Sequence, residues 1–446
     1  MTRRRWIGAA AGTALAAQVR RPNILFILAD DLGWQDLGCC GNRSIQSPNL
    51  DRMASEGTRF THYVVSWPAC TPSRGSMLTG RYPLRNGLYD MIRNNEVNWK
   101  FQFDEVSYAT SPEMTLGMDL REVTIGQVLK SAGYATGYVG KWDGGRARRF
   151  LPLQRGFDFY YGFANTGIDY YTHERYGVPS MFRGNQRIKE EGHATDLFGR
   201  EALRFIGEHR SRPWFLYLAF NAPHGASTFD RAAPQEPAEY MKLYQGPRAQ
   251  YKAMITHMDT VVGGIFSKLR EWGMEENTLV VFASDNGGTG RQNGPLRGGK
   301  SSLWEGGIRV PFLTKWPGRI PNDVVRDDFI SSLELLPTFA AAAGATPRPG
   351  VKLDGHNVLP VLEGKAKSPR QEFFWEHRGN KAARVGSIKW VEIGKEGGVF
   401  DLSTDPGEQR DLSVEKPELL AKMRSRWQDW RKEMDGSEVR GPFRDY

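Results

Sequence analysis

Oxygen-bearing side chains follow two of the most apolar stretches of this chain. Asp30 and Asp31 come directly after the run NILFILA, and Asp285 and Asn286 follow an apolar run that begins at Thr278. Carboxylate and amide oxygens are the ligands that Ca²⁺ and Mg²⁺ take, whereas zinc prefers nitrogen and sulfur. Asp and Asn most often only form turns after strands. Two such pairs closing two buried strands nevertheless favour a divalent-cation site.

A cysteine stands at the start of a predicted helix, in the stretch CTPSRGSMLTGR that begins at Cys70. Thr71 or Ser73 is suited to cap the first free N–H groups, and Pro72 is suited to the first turn. Cys70 is therefore expected at a helix N-terminus, where the dipole favours negative charge, with Arg74 one turn further on. From these residues alone two interpretations stay open: an anion site that contains a thiol, and a buried cysteine before an ordinary helix.

Three further basic side chains lie where predicted strands or glycine-rich loops end. Lys141 follows the predicted strand 134–139, His224 follows the predicted strand 214–220, and Lys300 lies in GGKSSLWEGGIRVP. A lysine is most often a solvated surface charge and a lone histidine is most often structural. Ligands of parallel sheets gather beyond the carboxyl ends of the strands, so these side chains are candidates for one site.

The stretch from Cys70 resembles the signature of the type I sulfatases, which reads Cys, one residue, Pro-Ser-Arg and then Leu-Thr-Gly-Arg. The resemblance extends from about Arg21 to Asp405, because several separate motifs recur in the order of the family. It is a resemblance to sulfatases of the arylsulfatase and N-acetylgalactosamine-6-sulfatase kind. It implies a sulfuric ester hydrolase of the arylsulfatase-like class, acting on a sulfated carbohydrate or an aryl sulfate.

The resemblance also assigns roles to residues of this chain. In the family, a formylglycine-generating enzyme oxidises the cysteine that matches Cys70 to Cα-formylglycine, whose hydrated aldehyde is the nucleophile. The family's metal ligands match Asp30, Asp31, Asp285 and Asn286, with an oxygen of modified Cys70 completing a site for Ca²⁺ or, as a second choice, Mg²⁺. The remaining roles are to hold the nucleophile, to bind sulfate oxygens and to protonate the leaving oxygen, and they match Arg74, Lys141, Lys300 and His224.

One position departs from the family pattern. Family members commonly read Gly-Lys-Trp-His, whereas this chain has Asp143 after Lys141-Trp142. The family histidine is thought to accept a proton from the hydrated aldehyde as sulfate is expelled. A carboxylate can take that role, but its ordinary pKa near 3.9 makes it a weaker base unless burial raises it. His173 and His193 are other candidates for the role.

Alternating helix and strand patterns predict an α/β fold. The resemblance makes it alkaline-phosphatase-like, a large mixed and mainly parallel sheet sandwiched by helices, with a small C-terminal antiparallel sheet and a helix. The predicted strands and helices of the C-terminal part are 372–376, 383–393, 399–402 and 417–434. The predicted division is an export signal at 1–17, a catalytic domain at 21–346 and a small domain at 350–446.

Composition restricts the class and the compartment. The 446 residues carry a formal charge of +9, which suits anionic ligands, but no nucleic-acid-binding motif accompanies it. No apolar run approaches the roughly 20 residues that span a bilayer. MTRRRWIGAAAGTALAA resembles a twin-arginine export signal, so a periplasmic or extracellular protein is expected. The three cysteines, Cys39, Cys40 and Cys70, form no disulfide framework.

Two other functions compete with sulfate ester hydrolysis. The first is a phosphate or phosphonate ester hydrolase of the same fold, and the second is a catalytically impaired binder of sulfated glycans, suggested by Asp143. An aromatic stretch at 89–118 is either a platform for a sugar or a minor core. The identity and linkage of the substrate do not follow from the sequence.

Overall fold

The computed structural model describes residues 21–92, 105–228, 233–289 and 293–441. Its strands, in chain order, are β1 Asn23–Ala29, β2 Thr58–Val64, β3 Ala135–Lys141, β4 Phe159–Phe163, β5 Glu174–Arg175, β6 Val178–Pro179, β7 Met181–Arg183, β8 Gln186–Arg187, β9 Trp214–Ala219, β10 Thr278–Ser284, β11 Phe312–Lys315, β12 Val324–Ser331, β13 Glu372–His377, β14 Asn380–Val385, β15 Ile388–Ile393 and β16 Glu396–Asp401. The α-helices are α1 Pro48–Ser55, α2 Cys70–Thr79, α3 Pro83–Asn86, α4 Glu105–Ala109, α5 Pro112–Thr115, α6 Ile125–Ser131, α7 Ala194–Glu208, α8 Ala238–Met241, α9 Ala249–Glu271, α10 Glu305–Ile308, α11 Leu335–Ala343, α12 Leu359–Leu362 and α13 Pro417–Asp435. Short 3₁₀ turns connect some of these elements.

The large sheet has the order β12-β2-β11-β10-β1-β9-β3-β4-β7-β8 within the described chain. At its centre β10, β1, β9, β3 and β4 run parallel to one another, while β11, β7 and β8 pair antiparallel. Ala29 of β1 pairs with Ser284 of β10, and Ala219 of β9 pairs with Gly140 of β3. The central strands therefore end at one level, and the residues that follow them meet at one edge of the sheet.

Both faces of the large sheet are buried. In β1, Ile24, Phe26 and Leu28 face one apolar cluster, which also contains residues of α2, α6 and α11. Leu25 and Ile27 face a second cluster, formed with α1, α7 and α9. A strand buried on both faces reads as a continuous apolar run, which is why NILFILA predicts β1.

A four-stranded antiparallel sheet, β13-β14-β15-β16, follows toward the C-terminus and packs against α13. The sequence interpretation of 383–393 as one strand is wrong. Val385 pairs with Ile388 across Gly386 and Ser387, so the stretch holds a tight hairpin between β14 and β15. The predicted fold class, a mainly parallel sheet between helices with a small antiparallel sheet and helix, is confirmed.

Two stretches singled out in the sequence are not covered, or only partly covered, by the described residues. The proposed export segment and residues 93–104 of the aromatic stretch, which include Trp99, Phe101 and Phe103, lie outside the described residues. Among the helices of the described residues, none is both long and apolar enough to cross a membrane.

Candidate active site

Carboxylates converge where β1 and β10 end. Asp30 and Asp31 follow β1, Asp285 follows β10, and the backbone N–H of Asp285 donates to the Ala29 carbonyl at 3.1 Å. Ligand atoms of these three carboxylates and of Cys70 lie within 4.8 Å of one another, and all four residues are buried. Asp31 has a positive φ of 66°, which turns the chain sharply after the strand.

Cys70 is the first residue of α2, as predicted, and it is fully buried. Its thiol donates to Asp30 Oδ1 at 3.4 Å and accepts from Lys300 Nζ at the same distance. Burial and the nearby Asp30 carboxylate raise the pKa of the thiol well above its ordinary value. The predicted cap is wrong: Ala69 occupies the N-cap position and no side chain caps the helix, because the Thr71 hydroxyl bonds elsewhere.

Two buried cations, Arg74 and Lys141, and one partly buried cation, Lys300, surround the carboxylates. Arg74 donates to Asp285 Oδ2 at 2.8 Å, and Lys141 donates to Asp30 Oδ2 at 2.5 Å. Lys300 contacts Asp31 at 2.7 Å. Burial opposes ionisation of Asp31, but the neighbouring cations, Lys300 first among them, outweigh it and lower the pKa of that carboxyl.

The charges and the donor atoms fit a hard divalent cation. Asn286 donates its amide to Asp31 Oδ1 at 2.7 Å, while its buried Oδ1 has no hydrogen-bond partner among the described residues. Burial raises the pKa of Asp285 to about 6, with repulsion from Asp30 adding to it. Crowded carboxylates of this kind are relieved by a bound cation, and an oxygen donor set favours Ca²⁺ or Mg²⁺.

Asp143 lies beside the cluster, in the loop after β3, and is buried. The Thr71 hydroxyl donates to Asp143 Oδ1 at 2.8 Å, and Lys141 Nζ lies 3.9 Å from Oδ2. Burial raises the pKa of Asp143 to about 6, even though Lys141 and Arg74 oppose the shift. The carboxyl at the position that departs from the family pattern therefore has the raised pKa that a proton acceptor needs.

His224 reaches the cluster from the loop after β9. Its Nε2 lies 3.9 Å from Asp31 Oδ2, and its backbone carbonyl accepts from the Tyr170 hydroxyl at 2.9 Å. Burial lowers the pKa of His224 to about 3, with Lys300 adding to the effect. The other candidate histidines lie elsewhere: His193 caps α7, and His173 Nε2 bonds to the Gly192 carbonyl.

A cavity of about 180 Å³ opens above Cys70. His224 and Lys300 line it, and the other residues that line it include Trp67, Asp90, Arg175, Tyr176, His377 and Arg378. The polar cluster at the sheet edge thus has a small pocket in front of it, which gives a ligand access to the thiol position.

Comparison with known proteins identifies the family. A family model described as Sulfatase matches residues 22–345. The chain belongs to the sulfatase family. A second model, described as N-sulphoglucosamine sulphohydrolase, C-terminal, matches residues 299–433.

Individual sulfatases resemble this one over most of its length. N-acetylgalactosamine-6-sulfatase of Canis lupus familiaris is 34% identical, and the match covers 92% of this chain and 85% of that protein. Arylsulfatase A of Homo sapiens is 35% identical, with 92% and 82% covered. This sulfatase is therefore a sulfuric ester hydrolase.

Solved structures share the fold. The structure of Ps i-CgsB in complex with k-i-k-neocarrahexaose has a TM-score of 0.81 and 31% identity, covering 92% of this chain and 93% of that chain. Phosphonate monoester hydrolase of Agrobacterium radiobacter has a TM-score of 0.64 and 19% identity, covering 93% and 96%, which indicates the fold alone. The sulfatase thus has the alkaline-phosphatase-like fold.

The structure brings the predicted site residues of the sulfatase together at one sheet edge. Those residues are Asp30, Asp31, Cys70, Arg74, Lys141, Asp143, His224, Asp285, Asn286 and Lys300. The sequence interpretation missed the pocket wall formed by Trp67, Arg175, His377 and Arg378. Arg175, His377 and Arg378 lie at the ends of short antiparallel strands outside the parallel centre of the large sheet, and no motif marks them.

Proposed function

We propose that this sulfatase hydrolyses sulfate esters of a carbohydrate, with Cys70 converted to Cα-formylglycine and a divalent cation bound beside it. The observation that carries the proposal is the position of Cys70. It is buried at the start of α2, between Asp30 and Lys300, and it lines a polar pocket. A thiol whose pKa is raised by burial is a poor nucleophile, so an unmodified cysteine has little use there.

The residues that would hold the cation are Asp30, Asp31, Asp285 and Asn286, with an oxygen of modified Cys70. We propose Ca²⁺ as the ion, because the donors are hard oxygens and four of them are carboxylate or amide side chains. When bound, the cation supplies positive charge that favours deprotonation of the hydrated aldehyde and offsets the negative charge of the sulfate.

The side chains around the pocket have separate tasks in this proposal. Lys141 and Lys300 bind sulfate oxygens, where fixed cations stabilise the charge that develops during the transfer. Arg74 holds residue 70 in place and compensates Asp285. His224 gives a proton to the leaving oxygen once the negative sulfate group has bound beside it, because that added anion counteracts the burial and the Lys300 charge that otherwise keep the ring neutral. Asp143 accepts a proton from residue 70 when sulfate is released.

The substrate class and the compartment are further parts of the proposal. The name of the relative N-acetylgalactosamine-6-sulfatase and the carrageenan oligosaccharide bound to Ps i-CgsB support a sulfated carbohydrate rather than a simple aryl sulfate. The twin-arginine-like segment at 1–17 supports export to the periplasm or the medium. A formylglycine-generating enzyme would be the maturation partner.

Peptide mass spectrometry of protein purified from its own host tests the proposal first. We expect the peptide that contains Cys70 to show an aldehyde in place of the thiol, and the peptide with Cys39 and Cys40 to keep both thiols. We also expect chelation with EGTA to abolish sulfate release and added Ca²⁺ to restore it. An intact thiol at position 70 in active enzyme would overturn the formylglycine mechanism, and faster release of phosphate than sulfate from matched esters would favour the phosphoesterase alternative.

A further inference from the structure

One wall of the pocket in front of Cys70 consists of residues that have no task in the proposed mechanism. Trp67 lies between β2 and α2, and Asp90 lies in the segment after α3. His377 is the last residue of β13, and Arg378 lies in the turn between β13 and β14. The two parts of the chain are about 300 residues apart in sequence, yet they line the same cavity as Cys70, His224 and Lys300. We name these four residues the distal wall.

The turn that carries Arg378 has an unfavourable residue at a strained position. His377 of β13 pairs with Asn380 of β14, so Arg378 and Gly379 form a two-residue hairpin loop. Both have positive φ, 50° and 82°, as a type I′ turn requires. Asn or Gly is preferred at the first position, and a long side chain there is disfavoured. A strained residue that lies on a ligand pocket suggests that its side chain has a function.

Arg378 is held over the pocket by Asp90. Its Nη2 donates to Asp90 Oδ1 at 2.8 Å and its Nε contacts Oδ2 at 3.3 Å. The Arg378 side chain keeps 48% of its surface exposed, and Asp90 keeps 17%. A guanidinium only donates hydrogen bonds and a carboxylate only accepts them. Side by side, the two groups match a pair of neighbouring hydroxyls, each of which can donate and accept.

The inner part of the distal wall has buried polar nitrogens. The Trp67 and His377 rings meet edge to face, with centroids 5.2 Å apart. Within the described chain, Trp67 Nε1 and His377 Nδ1 are buried and have no hydrogen-bond partner. Burial lowers the pKa of His377 to about 4, so its ring is neutral at neutral pH. Leaving such groups unsatisfied is costly, and a ligand oxygen would satisfy them.

The size of the cavity limits what it can hold. Its volume of about 180 Å³ is below the roughly 300–1,000 Å³ that is usual for ligand pockets. The distal wall lines the same small cavity as Lys300 and His224, so that cavity suits one ring and its sulfate group rather than an extended chain.

We infer that the distal wall binds a single terminal pyranose, next to the sulfate ester, through two neighbouring free hydroxyls of that sugar. Asp90 and Arg378 bind the hydroxyl pair, and Trp67 and His377 bind oxygens deeper in the pocket. The enzyme accordingly removes sulfate from the ends of chains and from monosaccharides. This inference rests on the proposed function and adds the substrate class and the mode of attack.

Two substitutions separate sugar recognition from sulfate chemistry. Arg378→Asn removes the guanidinium but places a favoured residue in the type I′ turn, so folding is kept or improved. Trp67→Phe removes the indole N–H together with the five-membered ring that carries it, and keeps a six-membered aromatic ring at this position. Trp430→Phe is the matched control, because Trp430 Nε1 is also buried without a partner in the described structure but lies on α13, outside the pocket.

The probes are 4-nitrophenyl sulfate, N-acetylgalactosamine 6-sulfate, galactose 6-sulfate and the 3,4-di-O-methyl ethers of these two sugars. For the free sugars we expect each of the two variants to raise KM about tenfold with little change in kcat, since it loses hydrogen bonds made equally in the ground and transition states. On 4-nitrophenyl sulfate, which has no hydroxyl pair to bind, we expect both variants to change kcat/KM much less than on the free sugars. The methyl ethers should be poor substrates of the wild type, and Trp430→Phe should behave as wild type throughout.

Other outcomes have distinct meanings. Hydrolysis of 4-nitrophenyl sulfate but of neither free sugar would overturn the inference and leave the proposed function intact. So would an equal loss on the aryl sulfate and the sugars, or equal rates for free and methylated sugars. Failure of the formylglycine-containing wild type on every probe would refute the proposed function itself and, with it, this inference.

Discussion

The loop after β3 holds Asp143 with one carboxylate oxygen on the Thr71 hydroxyl and the other, among the described residues, without a hydrogen-bond partner. Its φ of 55° is one that Asp tolerates better than most residues. Burial raises its pKa to about 6, against an ordinary value near 3.8. Residue type alone indicates a weak base here, and the surroundings make it a stronger one.

We expect the pH dependence of kcat to follow the ionisation of the Asp143 carboxyl. A proton acceptor must be ionised, so kcat should be constant well above pH 6 and fall as the pH drops below about 6. Asp143→Asn should lower kcat by about a hundredfold and remove this acidic limb. Asp143→His should instead raise turnover, because it restores the proton acceptor that family members commonly have at this position. The measurement is a pH–rate profile on 4-nitrophenyl sulfate.

A second variant controls for the assignment. The Thr71 hydroxyl stabilises the ionised Asp143, so Thr71→Val should move the acidic limb to higher pH. An unchanged limb in both Thr71→Val and Asp143→Asn would show that another group controls the profile.

The site residues that follow the central parallel strands can be predicted from the sequence, whereas the residues of the distal wall cannot. Asp30 and Asp285 follow continuous apolar runs, and parallel strands bring their ends together. Nothing in the chain around Trp67 or Arg378 indicates that the two meet, because that contact depends on how the small sheet packs on the large one. The prediction of Thr71 as a helix cap fails for the same reason, since its true partner, Asp143, is distant in sequence.

Helices α7 and α9 meet through a buried histidine. His257 of α9 bonds to Glu236 Oε2 at 2.7 Å through Nδ1 and to Asp196 Oδ1 at 2.8 Å through Nε2. The Tyr240 ring stacks on it at 4.3 Å. Burial lowers its pKa, but the two carboxylates outweigh burial and raise it to about 9. The helix contact is therefore built on an imidazolium.

The pKa of His257 predicts a loss of stability at alkaline pH. The pKa is about 9 in the folded protein and 6.5 for the ordinary side chain, so the contribution is complete below pH 6.5 and disappears as the pH rises through 9. We expect the free energy of unfolding to fall by roughly 2–3 kcal/mol over this range. Urea titrations between pH 6 and 10 measure it.

Two variants show whether His257 is responsible. At pH 6.5, His257→Gln should have a lower free energy of unfolding than the wild type. Its free energy of unfolding should also decline much less between pH 6 and 10. His62→Gln is the control, because burial lowers the pKa of His62 to about 4 and it stays neutral from pH 7 to 10 in both states. A decline that persists in His257→Gln would assign it to other groups.

Most helices and strands are predictable, since amphipathic or continuous apolar patterns follow directly from burial. Apolar residues recur with helical spacing between Tyr251 and Trp272, and helix α9 is found at Ala249–Glu271. The hairpin of β14 and β15 escapes the prediction because apolar residues continue across it. Gly386, with φ of 60°, and Ser387 form the turn, and Gly-Ser between two strands is itself a hairpin signal.

At the scale of the whole molecule, the small sheet shares its core with one face of the large sheet. Phe373, Trp375 and Trp427 belong to the same apolar cluster as Phe26 of β1. The Trp375 indole donates to the Val65 carbonyl at 2.8 Å. The division at 346 and 350 stays a prediction, and the shared core indicates that the two parts depend on each other.

A chain ending at residue 346 is expected not to fold. Removing the small sheet exposes one side of the apolar cluster and leaves Arg85 without Asp354 and Glu433, its partners at 2.9 and 2.5 Å. We expect insoluble or aggregated protein, measured by soluble yield and light scattering. Trp375→Phe, which removes the hydrogen bond to the Val65 carbonyl and part of one buried ring, should still fold, with a loss of about 1–3 kcal/mol. A soluble monomeric truncation with a cooperative unfolding transition would contradict the prediction.

Because the central strands all end at the same level, the enzyme should respond differently to insertions and deletions in different parts of the sheet. Ala29, Ser284, Ala219 and Gly140 lie at the ends of neighbouring strands, and charged residues come directly after Ala29, Ser284 and Gly140. Inserting or deleting one residue within β1 would displace Asp30 and Asp31 by about 3.3 Å and turn alternate side chains to the opposite face. Loops at the amino ends of these strands lie away from the charged cluster, so a change in their length leaves the positions of the site residues unchanged. We therefore expect insertions and deletions to be tolerated at the amino ends of the central strands, and only substitutions to be tolerated at their carboxyl ends.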